Sequence, residues 1–103
     1  MAMQILGAKR SYETITRGID FSSLLIPGET ITTASSSAAV WSGTGALPTL
    51  TSAVGTGYQV GTVQVMVTGG TAGTVYRMTT TAVTSYANTL AVVSYLAVVD
   101  DPV

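Results

Sequence analysis

Few residues in this chain could do chemistry. Five carboxylates occur, Glu13, Asp20, Glu29, Asp100 and Asp101. Two carboxylates facing each other across a sugar could cleave a glycosidic bond, one as acid and the other as base or nucleophile. Glu13 and Glu29 are the pair that could come near each other. Each also stands where a strand edge or turn wants solvation, and we read both as solvated surface. Asp100-Asp101 supplies two of the several oxygens that a calcium site needs. On a tail, such a pair reads as a frayed end. Asp20 lies between Ile19 and Phe21 with two serines following, placed to accept backbone N–H bonds at a kink.

The chain has no His and no Cys. The commonest general base and metal ligand are therefore missing, and so are a thiolate nucleophile and any disulfide. The segment Gly69-Gly70-Thr71-Ala72-Gly73 lacks the Lys and the following helix of a phosphate loop. Its three glycines suit a tight reversal instead. Four basic residues cannot neutralise a run of phosphates. Five tyrosines beside them make no stacking platform for nucleic acid. Lys9, Arg10 and Arg17 form a small basic cluster that reads as a solvated flank or as a contact for an acidic partner. No catalytic residue, no cofactor, no metal site and no nucleic-acid partner is expected.

What positions these residues follows from composition. A length of 103 residues suits one domain. Apolar residues make up 47% and charged residues 9%, with a formal net charge of −1, against roughly 25% charged in an average soluble domain. Thr and Ser supply 18 and 10 residues, Val 13 and Ala 12. β-branched and ring side chains favour strands, and so few charges favour a place inside an assembly. The basic pair Lys9-Arg10 follows a short apolar stretch, where a secretory signal would place it before a long one. The longest apolar run, Leu90 to Val99, is broken by Ser94 and falls short of the about 20 residues of a membrane helix. Neither export nor a membrane is expected.

Helical periodicity is nearly absent and period-two alternation is clear. Over Tyr58 to Val67, Val63, Val65 and Val67 alternate with Thr62, Gln64 and Met66. Over Thr74 to Ala82, Arg77 must face water, so Tyr76, Met78, Thr80 and Ala82 share the inner face. Softer strands are expected over Tyr12 to Arg17, with a break at Gly18, and over Ile19 to Leu25, Glu29 to Ser35 and Ala38 to Trp41. Leu50 to Val54 reads as an edge strand and Thr89 to Val99 as the last. Pro27-Gly28 and Ser85 to Asn88 read as turns, and Ser42 to Thr49 as a loop. Seven to eight strands at roughly 8–12-residue spacing indicate an all-β fold, an antiparallel sandwich or a small barrel. The favoured form is a single Ig-like antiparallel β-sandwich with an N-terminal arm. Trp41 is expected to pack between the sheets.

The expected divisions are 1–10 as an N-terminal extension or arm, 11–100 as the sandwich and 101–103 as a C-terminal tail. The last strand is apolar on both faces, where a sandwich strand has one polar face. The arm carries Met3, Ile5 and Leu6, which suit docking on a strand, in this chain or in another copy. Met3, Ile5, Leu6, Lys9, Arg10, Val93 and Tyr95 are the candidate partner contacts.

Three segments carry a resemblance. They are Lys9-Arg10 and Glu13 with Ile19-Asp20-Phe21-Ser22 running to Leu24-Leu25; Pro27-Gly28-Glu29-Thr30-Ile31; and Val63-x-Val65-x-Val67-x-Gly69-Gly70-Thr71-Ala72-Gly73-Thr74-x-Tyr76 with Thr79 to Thr84 behind it. Together the chain resembles the small Ig-like β-sandwich structural proteins of tailed bacteriophages over most of residues 9–90. The segment Ala34 to Gly57, rich in Ala, Ser, Thr and Gly, departs from that pattern, as do the first eight residues. The resemblance implies a virion structural protein without enzymatic activity, made in the host cytoplasm. Its partners would be other virion proteins, the major capsid protein or tail proteins, and further copies of itself as a homo-oligomer. Head-surface decoration, in many copies, is the first expectation. A neck, tail or fibre-attachment component is the alternative, and a cell-surface adhesion module a more distant one.

Overall fold

The computed structural model describes residues 2–55 and 61–100, with the backbone alone over 2–7. Seven strands follow in chain order: β1 (Ala2–Lys9), β2 (Thr14–Asp20), β3 (Ile31–Ser42), β4 (Thr49–Val54), β5 (Thr62–Thr68), β6 (Thr74–Thr84) and β7 (Thr89–Val98). They form two sheets, a four-stranded one ordered β1-β7-β6-β3 and a three-stranded one ordered β2-β5-β4. Strands 2, 5, 4 and 3, 6, 7 divide between the sheets as B, E, D and C, F, G do in an Ig-like sandwich. Five strand pairs build the sheets, and four are antiparallel. The exception to the antiparallel expectation is β1, which runs parallel to β7 with a register shift between Ile5 and Gly7. The parallel course follows from β1 joining the edge beyond β7 instead of forming a hairpin with it.

The alternation read from sequence sorts side chains as a sandwich requires. Val63, Val65 and Val67 of β5 and Tyr76, Met78, Thr80 and Ala82 of β6 are fully buried, while Arg77 is exposed. Val63, Val65, Val67, Met78 and Ala82 pack with Ile19, Phe21, Ile31, Val92 and Leu96 between the sheets. Ser36 of β3 adds a polar tie, with its hydroxyl 2.6 Å from Ser52 Oγ on β4 and 3.0 Å from Thr80 Oγ1.

Several boundaries differ from the sequence reading. Gly18 does not break β2, which runs through it to Asp20, because its two neighbours still alternate against Val65 and Val63 of β5. The extended piece expected over Ile19 to Leu25 instead ends at Asp20 and turns through a short 3-10 segment, Ser22–Leu24. Asp20 Oδ1 accepts the Ser22 N–H at 2.8 Å and closes that kink. The pieces expected over Glu29 to Ser35 and Ala38 to Trp41 are one strand, β3, since the serines between them continue the pairing with β6. The start of the strand expected from Tyr58 lies outside the described residues. Trp41 does not lie between the sheets; it is 59% exposed. The parity that turns Ala34, Ser36 and Ala38 inward sends Ser35, Ser37, Ala39 and Trp41 to the outer face.

Candidate partner-binding surface

The carboxylates among the described residues are structural. Glu29 is buried, 6% exposed. It accepts the Thr84 hydroxyl at 2.5 Å, the Asn88 side-chain amide at 2.9 Å and the Ile26 N–H at 3.1 Å. These donors, the Thr84 hydroxyl foremost, hold its carboxyl below the usual range. Glu29 is therefore a brace between the β2–β3 connection and the β6–β7 turn, which corrects the solvated reading. Glu13 lies at the opposite end of the sandwich, in the turn before β2. The length of β6, eleven residues at about 3.3 Å each, keeps the two apart, so they form no hydrolytic pair. Asp100 is not frayed either. Its two oxygens accept the Ser11 N–H at 2.9 Å and the Ser11 hydroxyl at 2.7 Å. Those bonds, with smaller contributions from the Arg10 and Lys9 charges, hold its carboxyl below the usual carboxylate range. Asp101 lies outside the described residues.

Of the basic residues, Lys9 is internal, Arg10 is half-buried, and Arg17 lies on β2 with its guanidinium donating to the Thr16 carbonyl at 3.2 Å. Lys9 is 1% exposed, and its ammonium donates to the carbonyls of Arg10 at 2.6 Å and Ser11 at 3.5 Å. Arg10 is half-buried, its N–H donating to Glu13 Oε1 at 2.7 Å while the Glu13 N–H donates to the Arg10 carbonyl at 3.1 Å. The long apolar stem of Lys9 makes such burial tolerable once its head reaches carbonyls. Lys9 thus locks the β1–β2 turn instead of forming a solvated flank.

That turn belongs to an ordered end of the sandwich. Val99 N–H donates to the Lys9 carbonyl at 2.9 Å, and Gly73 N–H to the Val98 carbonyl at 2.8 Å. The buried Tyr76 hydroxyl donates to the Ala46 carbonyl at 2.6 Å and accepts the Thr71 N–H at 2.8 Å. Tyr12, Leu47 and Val99 stand exposed around this end.

The remaining candidates lie on the four-stranded sheet, whose outer face bears Val93 and Tyr95. In register, Ala39, Arg77, Tyr95 and Ile5 line up across β3, β6, β7 and β1. Trp41 reaches over this face to Tyr95, ring centroids 5.3 Å apart and planes 69° apart. Met3 stands beside Val93, and Leu6 falls at the register shift. Val93 is buried and Tyr95 half-buried. The structure thus gathers Met3, Ile5, Val93 and Tyr95 on adjacent strands and puts Lys9 and Arg10 at the end of the sandwich. Sequence reasoning put Arg77 outward without counting it among the contacts, and it missed Trp41 as a member of this face. Strand parity along β3 was the available signal, and the small residues on both of its faces obscured it.

Residues 9–96 match the family described as podophage GP4 fiber-tail adaptor protein gp77. The chain belongs to that family. As a member of the fiber-tail adaptor family it is a structural protein of a tailed-phage virion, and its work is to bind other virion proteins. The match favours tail and fibre attachment over the head-surface decoration expected first. No curated protein and no solved structure matches the chain. No helix among the described residues is long and apolar enough to cross a membrane.

Proposed function

We propose that this chain is a non-enzymatic adaptor that joins a fibre to the tail of a podophage particle. The family match over residues 9–96 is the observation that carries this reading. The fold supports it with a scaffold whose loops are tied together and whose outer sheet face presents exposed Trp41 and Arg77 beside half-buried Tyr95. Tryptophan, tyrosine and arginine are the residue types that dominate binding energy at protein interfaces. On this reading Trp41 and Tyr95 are contact anchors, and Arg77 supplies the single charge on that face.

Localisation tests the proposal. Antibody or gold labelling of intact particles should mark the junction between tail and fibre. Label confined to the head shell would reject the adaptor role and restore the decoration reading.

A further inference from the structure

We infer that β3 is a self-pairing strand, by which two copies of this chain join edge to edge and antiparallel. The inference concerns the isolated chain and holds wherever in the virion the protein sits.

A sandwich exposes unpaired backbone N–H and C=O groups along its edge strands, and proteins defend these edges. The four edges here are β1 and β3 of the larger sheet and β2 and β4 of the smaller. Three of them carry a recognised defence. β2 bears Arg17 at a position whose register partner, Val65, is a buried core residue, so a charge is set on the inward parity of that edge. β4 is short, six residues. β1 has a register shift between Ile5 and Gly7. β3 has register shifts only at its ends, between Ile31 and Thr33 and between Val40 and Ser42, and no defence over its middle. It runs twelve residues, contains no charged residue, Gly or Pro, and keeps unbroken register with β6 from Thr33 to Val40.

Charge points to a second copy as the occupant. An antiparallel self-pair sets each residue of a strand against a residue of the same strand, so a charge near the centre of the pairing meets its own copy, and like charges directly opposite destabilise. A neutral strand with a neutral flank pairs with itself free of that penalty. No charged residue occurs between Glu29 and Arg77, a span that includes both β3 and the adjoining edge strand β4. The charge nearest this edge on the outer face is Arg77, one strand in and paired with Ala39. With the pairing centred on Ser37, the two copies of Arg77 stand about 20 Å apart by strand spacing and rise, beyond the Debye length of about 8 Å at physiological ionic strength. The outward side chains Thr33, Ser35, Ser37 and Ala39 are small and exposed, so the approach is unobstructed. Such a contact is isologous and closes on itself.

The test restores the missing defence and then compensates it. Ser35→Lys/Ser37→Lys and Ser35→Glu/Ser37→Glu variants are compared with the unaltered chain by sedimentation equilibrium, with circular dichroism and melting confirming that each is folded. The unaltered chain should form a concentration-dependent dimer. Each double variant alone should associate at least tenfold more weakly, and an equimolar mixture of the two should regain the dimer. A chain that stays monomeric throughout, or variants that associate as tightly as the original, overturns the inference. So does a mixture that stays monomeric, since β3 would then meet a different surface. A cysteine test covers the case in which the charged variants fail to fold. The chain lacks native thiols, so Ser37→Cys should form oxidised dimers faster than Thr16→Cys on β2, and equal rates overturn the inference.

Discussion

Trp41 of β3 and Tyr95 of β7 meet edge to face with ring centroids 5.3 Å apart, although β6 lies between their strands. Two strand spacings amount to roughly 9–10 Å, so the Trp41 ring reaches across β6 above the outer face. The pair makes a fixed aromatic surface without taking part in the core. Trp41→Ala should therefore cost only about 0.5–1.5 kcal/mol, the worth of an aromatic pair. Burial between the sheets would have made it about 3–5 kcal/mol. The shift in denaturation midpoint distinguishes the two, and the same variant should bind its virion partner markedly more weakly.

At the end of the sandwich formed by residues 43–48 and 69–73, Gly45 has no room for a side chain. A Cβ at Gly45 would stand 2.5 Å from Thr71 Cβ, 2.5 Å from Thr74 Oγ1 and 2.8 Å from the Tyr76 hydroxyl. Tyr76 is fully buried and cannot yield. Gly45→Ala should destabilise by about 1–3 kcal/mol through overpacking. Tyr76→Phe should cost a similar amount, about 1–3 kcal/mol, because the Ala46 carbonyl and the Thr71 N–H both lose their partner. Thermal melting measures both, and an unshifted Gly45→Ala melt would show that this loop does not pack on Tyr76.

Ser94 offers the opposite case. It is fully buried on β7, and its hydroxyl has no hydrogen-bond partner. Removing a buried, unsatisfied hydroxyl takes away its desolvation cost. Ser94→Ala should leave stability unchanged or raise it, by up to about 1 kcal/mol. A clear loss in denaturation midpoint would mean that the hydroxyl is bonded in solution.

Acid sensitivity follows from Glu29, Asp100 and Asp20. Hydrogen bonds hold all three below their ordinary range in the folded chain. A depressed folded value contributes stability that is present above the ordinary carboxylate range and is lost as pH falls through the folded value. The melting temperature should therefore fall as pH drops below about 4. Glu29→Gln should lower it near neutral pH and flatten this dependence. A Glu29→Gln profile with the same slope as the original would assign the acid response to other groups.

The parts of the fold written in strict alternation were legible in the sequence. Val63, Val65 and Val67, and Tyr76, Met78, Thr80 and Ala82, announce their faces because polar and apolar residues take turns. β3 was not legible as one strand, since Ala and Ser on both of its faces carry no period-two signal, and Trp41 was drawn inward for want of one. Lys9, Glu29 and Asp100 read as solvated or frayed because charge normally means exposure. Their partners, the carbonyls of Arg10 and Ser11, the Thr84 and Asn88 side chains, and Ser11 itself, come together through turns and through contacts distant in sequence. The apolar last strand correctly marked β7 as a place needing cover. It could not say that β1 would lie beside it in parallel.

The adaptor role is tested most directly by the fibre content of particles assembled without this chain. Phage made with its coding sequence deleted and phage complemented in trans would be purified, and fibre protein per tail measured by quantitative mass spectrometry. Particles lacking the chain should keep filled heads and tails while losing their fibres, and complementation should restore them. Deleted particles with a full set of fibres would contradict the account.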